Sequence, residues 1–179
     1  MELELQLQSA MKLIGGFVLS ERTKLGIGKK KFGQLCDGLS ETYIRNLEEG
    51  KVNVTLKSLV KLKSGMNSTV PNIITGNGRK FSNKTLKTAR TENFDTAKQN
   101  FSIRLLAIMK SRKLSSIVFS NYLGMDESAT NKYLNGSENP TYLMLLRFAY
   151  VLNVEVVVFF DYAGTLPDNI NYKPRFLNP

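Results

Sequence analysis

The stretch "KYLNGSENPT" at 132–141 has a looser counterpart in "NLEEGKVNVT" at 46–55. Gly136 and Gly50 stand 86 positions apart. The same offset links Asn139 to Asn53, Thr141 to Thr55, Leu145 to Leu59 and Asn153 to Asn67. A chain that repeats itself at a fixed offset is expected to build one unit twice. Its 179 residues suit two small domains.

The pattern inside each copy is helical. In the second copy, Asp95 is placed to cap a helix running to about Lys113, with Ala97, Phe101, Leu105 and Ile108 on one face. Ser115 caps a short helix, "SIVFSNYLG", and Gly124 ends it in the position that favours a left-handed residue. Asp126 opens a third helix, "ESATNKYL", which Asn135-Gly136 stops. Pro140 excludes helix at Asn139, and Thr141 caps a fourth helix carrying Leu145, Phe148, Ala149 and Leu152. The first copy runs in parallel through "KLIGGFVLSERTKL", "KKKFGQLC", Ser40 before "ETYIRNLEE", and Thr55 before "LKSLVKLKS".

Between the copies, "GNGRKFSNKTLKTARTENFD" (76–95) is poor in apolar residues and reads as a flexible basic linker. A less favoured reading lays Arg79 and Lys80 into a minor groove as an arm. "NVEVVVFFDY" (153–162) is rich in β-branched and aromatic residues and is expected to be a strand. "ELELQLQ" (2–8) alternates like a strand, although its residues favour helix. The expected fold is therefore mainly α. It has two small four- to five-helix domains, 1–75 and 96–162, a linker at 76–95 and a tail at 163–179. The second domain ends in a C-terminal β-strand, with the N-terminal run as a candidate second strand.

Charge narrows the function. The net charge is +10. The excess is +4 over residues 1–75, +3 over 76–95 and +3 over 96–179, so it is spread over both copies and densest between them. Such a surface suits a polyanion. No apolar run approaches the roughly 20 residues of a membrane span. The start "MELELQLQSAMK" carries acids where a secretory signal would carry bases. One cysteine, Cys36, permits no internal disulfide and fits a cytoplasmic location, where it is expected to be a small core residue. With no histidine there is no imidazole base or ligand, and "GGFVLSERTKLGIG" lacks the Gly-Lys-Ser/Thr of a phosphate loop. No enzyme activity, cofactor or metal is expected.

Two segments, "FSNYLGMDESATNKYLNGSENPTYLMLLRFAYVLNV" and more loosely "FGQLCDGLSETYIRNLEEGKVNVTLKSLVKLKSGMN", resemble the lambda-repressor/Cro-type (XRE-like) helix-turn-helix family. The second copy also resembles its antitoxin-type members. The first copy departs in three places. Phe32 to Gly38 holds one residue more than Phe119 to Gly124, Val54 replaces the proline, and Lys63 stands where the second copy has Ala149. Family members often bridge the first helix to the end of the third with a buried Arg–Glu pair. Arg22 and Glu48 occupy those places, and Met109 and Leu134 replace both partners in the second copy. Each pair is expected to be in contact.

The resemblance implies that the third helix of each copy reads DNA. In the first copy the readers would be Ser40, Glu41, Thr42 and Asn46, with Arg45 reaching a phosphate or base. In the second they would be Asp126, Glu127, Ser128 and Lys132, with Asn131 beside them. The chemistry fits, since Asn suits adenine, Lys suits guanine and Glu accepts from cytosine. The plainer account of Glu41 and Glu127 is that they complement a positive helix start. Phosphates would be met by Lys29, Lys30, Ser116, Lys51, Asn135, Ser137 and Asn139. For the lysines the plainer account is a solvated face. The favoured function is a sequence-specific regulator of transcription, most often a repressor in this family, bound to double-stranded DNA. The alternative is an antitoxin-like module whose main target is another protein. The C-terminal strand is a candidate for homodimer contact.

Overall fold

The computed structural model describes residues 2–169 and 172–177. Among them are ten α-helices and one 3-10 helix: α1 (Glu2–Lys24), α2 (Lys29–Leu35), α3 (Glu41–Glu48), α4 (Leu56–Met66), α5 (Val70–Thr75), α6 (Asn83–Thr91), α7 (Phe94–Ser111), α8 (Ser116–Leu123), α9 (Glu127–Leu134), α10 (Tyr142–Leu152) and the 3-10 helix Val156–Phe160. The fold is mainly α, and among the described residues no helix is long and apolar enough to cross a membrane.

Caps set most helix starts. Ser40, Thr55, Ser115 and Thr141 each accept a backbone N–H from the first turn of the helix that follows. Thr55 forms a full capping box with Ser58. The helix expected from Asp95 begins two residues earlier, because Asn93 and Thr96 form a capping box there. Asp126 takes the N-cap backbone position of α9, but its carboxylate accepts no cap hydrogen bond.

The helices repeat in space as the residues repeat in sequence. α1–α2–α3–α4–α5 is matched by α7–α8–α9–α10 and the 3-10 helix. Phe32 and Phe119, the buried centres of α2 and α8, stand 87 positions apart, whereas residues after Gly38 pair at 86. The extra residue is absorbed between α2 and α3, where Asp37 (φ 48°) and Gly38 (φ 79°) are both left-handed. Gly124 alone (φ 61°) makes the corresponding turn. Lys61 Nζ donates to the Asp37 carbonyl at 2.8 Å, and its counterpart Arg147 donates to the Leu123 carbonyl at 2.8 Å. In both copies a cation on the fourth helix ties down the end of the second.

Three expectations need correction. The C-terminal strand is absent, and Val156–Phe160 is a 3-10 helix instead. A strand needs a paired edge, and none is present among the described residues; short-range bonds such as Val158 N–H to Glu155 C=O satisfy the backbone locally. Phe159 and Phe160 lie 5.7 and 6.1 Å from Phe101 by ring centroids, so the segment fills the core where α5 fills it in the first copy. Strand pairing between two subunits therefore has no strand to use. The N-terminal run is likewise no strand but the start of α1. Leu3, Leu7, Ala10, Met11, Ile14 and Val18 form a helical stripe against the core, while Leu5 stays in solvent.

The third correction is the linker, which is not a plain coil. Ser82 caps α6, Thr85 and Ala89 bury one face of it, and the Thr85 hydroxyl donates to Asp161 Oδ1 at 2.7 Å. Lys63, out of place as a core residue, is only 7% exposed and donates to the carbonyls of Ala89, Arg90 and Glu92. It satisfies the C-terminal carbonyls of α6. The lysine that departs from the second copy's pattern is thus the anchor of the connecting helix. Burial pushes its ammonium down, partly countered by the nearby Glu92 charge. The tail also packs. Arg104 donates to the Val158 and Thr165 carbonyls, Arg112 to Asp168, and Leu177 N–H to the Tyr122 carbonyl.

Candidate nucleic-acid interface

α3 and α9 bury one side and show the other. Ile44 and Leu47 of α3, and Thr130 and Leu134 of α9, face the core. Ser40, Glu41, Thr42 and Arg45 are exposed around the first turns of α3, with Asn46 half-buried. Asp126, Glu127, Ser128, Asn131 and Lys132 are exposed around α9. Each expected reading set therefore lies together on the outer side of one short helix.

Several of these side chains already have partners. Glu41 pairs with Arg45 at 3.6 Å along the helix. Glu127 accepts from the Ser116 hydroxyl at 3.0 Å, which joins the start of α9 to the start of α8. Both carboxylates sit in a first helical turn, where the helix dipole favours them. Lys51 pairs with Glu49 at 2.7 Å, and this hydrogen-bonded partner holds the Glu49 carboxyl below its usual range. Asn135 Oδ1 accepts from the Ser137 backbone N–H at 3.0 Å, which fixes the loop after α9. Lys30 is exposed, whereas Lys29 is half-buried with its ammonium 3.6 Å from Glu48.

Glu48 belongs to the pair expected from sequence. Arg22 Nε and Nη2 donate to its two oxygens at 2.5 and 3.1 Å, and Arg22 Nη1 donates to the Ile27 carbonyl at 2.9 Å. The two side chains are 13% and 5% exposed. The contact holds α1 to the end of α3 and so fixes the tilt of the expected reading helix. In the second copy Met109 and Leu134 are both buried and line one shared depression with Leu106. At the neighbouring position Gly15 brings α1 against the Leu47 carbonyl, where an added Cβ would stand 2.3 Å away. Its counterpart Ser102 donates to the Leu134 carbonyl.

Asn139 is engaged within the chain. Its Oδ1 accepts the Lys57 N–H at 3.1 Å, and Asn53 Oδ1 accepts the Leu143 N–H at 3.1 Å. Leu56 N–H donates to the Pro140 carbonyl at 2.9 Å, and Tyr142 N–H to the Val54 carbonyl at 2.7 Å. Thr55 and Thr141 form an antiparallel bridge between these pairs. Each bond has its equivalent 86 residues on. The donors are the first N–H groups of α4 and α10, which have no acceptor inside their own helices. Asn53 was not among the sequence-selected residues, although its match to Asn139 at the repeat offset was the available signal.

Cys36 is fully buried, and burial pushes its thiol up to about 12. No family model matches the chain, and neither a curated protein nor a solved structure matches it.

Proposed function

We propose that the chain is a sequence-specific double-stranded DNA-binding protein with two helix-turn-helix heads of the lambda-repressor/Cro type, acting as a transcriptional regulator and most simply as a repressor. The observation that carries this reading is the doubled α2–α3 and α8–α9 arrangement: a short helix, a left-handed turn and a second short helix with a hydrogen-bonding outer side. Such a helix fits the major groove, and the net charge of +10 supplies attraction to phosphate. Ser40, Thr42, Arg45 and Asn46 read bases from the first head, and Ser128, Asn131 and Lys132 from the second. Lys30 and Lys51 meet phosphates, as do the loop residues Asn135 and Ser137. An apolar C-terminal strand and the tail after it would favour the antitoxin-like alternative; of these, the strand is replaced by a buried turn of helix at Val156–Phe160.

Selection of bound sites from random duplex DNA at about 0.1 M salt tests the proposal. An enriched motif is expected. Binding without any enriched motif would contradict it.

A further inference from the structure

The contact between the copies is isologous. The Val54 carbonyl and Asn53 Oδ1 accept from the Tyr142 and Leu143 N–H groups in one direction, and their 86-residue equivalents, the Pro140 carbonyl and Asn139 Oδ1, accept from the Leu56 and Lys57 N–H groups in the other. The wider packing repeats this reciprocity: α4 lies against α7 as α10 lies against α1, and α5 meets the 3-10 helix that replaces it in the second copy. Reciprocal bonds about a self-paired centre, Thr55 with Thr141, describe a twofold axis within a single chain. A twofold axis carries α3 onto α9. The two helices are thus held as a related pair rather than as independent heads on a tether.

Duplex DNA has its own twofold axes, and a surface with twofold symmetry matches half-sites that are inverted. Direct repeats call for heads related by translation, which this contact forbids. The side chains of α3 and α9 differ at most outward positions, so the two half-sites differ in sequence while keeping inverted polarity. A flexible connection would have tolerated several spacings. The connection here is α6, latched by Lys63 at one end and by Thr85 to Asp161. The N-terminal N–H groups of α4 and α10 also depend on the cross-copy acceptors, so separating the copies would leave them unpaired.

Resting on the DNA-binding reading above, we infer that one chain acts as a built-in dimer: a monomer that recognises a single quasi-palindromic site, two unlike half-sites in inverted orientation at one fixed spacing. No second subunit is needed to complete the site, because the surface a partner copy would use is filled by the chain's own other half.

The test uses the whole 179-residue chain and the motif obtained by selection. Affinity is measured by fluorescence anisotropy on three duplexes: the selected site, the same half-sites as a direct repeat, and the inverted site with five base pairs inserted at its centre. Five base pairs turn one half-site about half a helical turn away from the other, since a turn is about 10.5 base pairs. The inference expects each altered duplex to lose about 100-fold or more in affinity, with one chain per duplex by native mass spectrometry. Equal affinity for the inserted duplex, a selected motif in direct orientation, a motif of one half-site, or two chains on the selected site would each overturn the built-in dimer while leaving DNA binding intact. Failure to enrich any motif would overturn the DNA-binding reading and this inference with it.

Discussion

Gly33 shows how much one missing atom decides. A Cβ there would stand 2.0 Å from the Leu39 carbonyl, a backbone atom that cannot move aside without shifting the turn between α2 and α3. The corresponding place in the second copy holds Ser120, whose hydroxyl donates to the Ser116 carbonyl at 2.8 Å. Gly33→Ala should therefore cost about 3 kcal/mol by overpacking, and Ser120→Ala about 1 kcal/mol or less. Urea denaturation of the two variants measures this, and equal losses would mean the first turn has more room than its geometry shows. Arg22 and Glu48 make a second case. Glu48→Ala strands a largely buried guanidinium and should cost about 3–5 kcal/mol. Arg22→Met with Glu48→Leu copies what the second copy already has in Met109 and Leu134, and should recover most of that loss. A double variant no more stable than Glu48→Ala would show that the second copy's solution does not transfer.

The element with the least sequence signal is α6. Its residues are mostly polar, and only Thr85 and Ala89 are buried, so no apolar stripe announces it. What holds it comes from elsewhere in the chain: Lys63 below its end and Asp161 beside its start. Glu92, at its C-cap, is 5% exposed, accepts from the Tyr162 hydroxyl at 3.0 Å and from Asn100 at 3.3 Å, and leaves Oε1 without a partner. Burial raises its carboxyl above the ordinary range. A carboxyl raised on folding stabilises the fold in its protonated form. That contribution is complete below the usual value of about 4.3 and is lost as pH climbs through the raised folded value. Glu92→Gln stays neutral throughout, so its stability relative to the parent should rise between about pH 4 and pH 7. Urea midpoints at the two pH values read this directly, and a constant difference would mean the buried carboxylate costs nothing.

The same contrast explains what could be read from residues alone. Helices α8, α9 and α10 have their caps, stops and apolar spacing within a short stretch, and each appears where those signals place it. Alternation in "ELELQLQ" and β-branching in "NVEVVVFF" are local signals too, but both lost to non-local ones. Leu3 and Leu7 join a stripe that continues through Ile14, and Phe159 and Phe160 are drawn into the aromatic core around Phe101. For the candidate site, the exposed side of each third helix was legible because a cap and a period fix it. The cross-copy bond of Asn139 was not, since its donor, the Lys57 N–H, is 82 residues away in the chain.

At the scale of the whole molecule, positive charge lies on both copies, and the cross-copy bonds hold them as one body. If each head neutralises three or four phosphates, log K should fall against log salt with a slope of about −5 to −7. Titrations between about 0.05 and 0.2 M salt measure it, and a slope near −3 would indicate that only one head is engaged. The central claim is that both heads read bases. It is tested most directly by comparing the selected motif of the parent with those of two double variants, Thr42→Ala with Asn46→Ala and Ser128→Ala with Lys132→Ala. The account predicts that the first relaxes base preference in one half of the motif and the second in the other half, each leaving the opposite half unchanged. A motif unchanged by either double variant would contradict it.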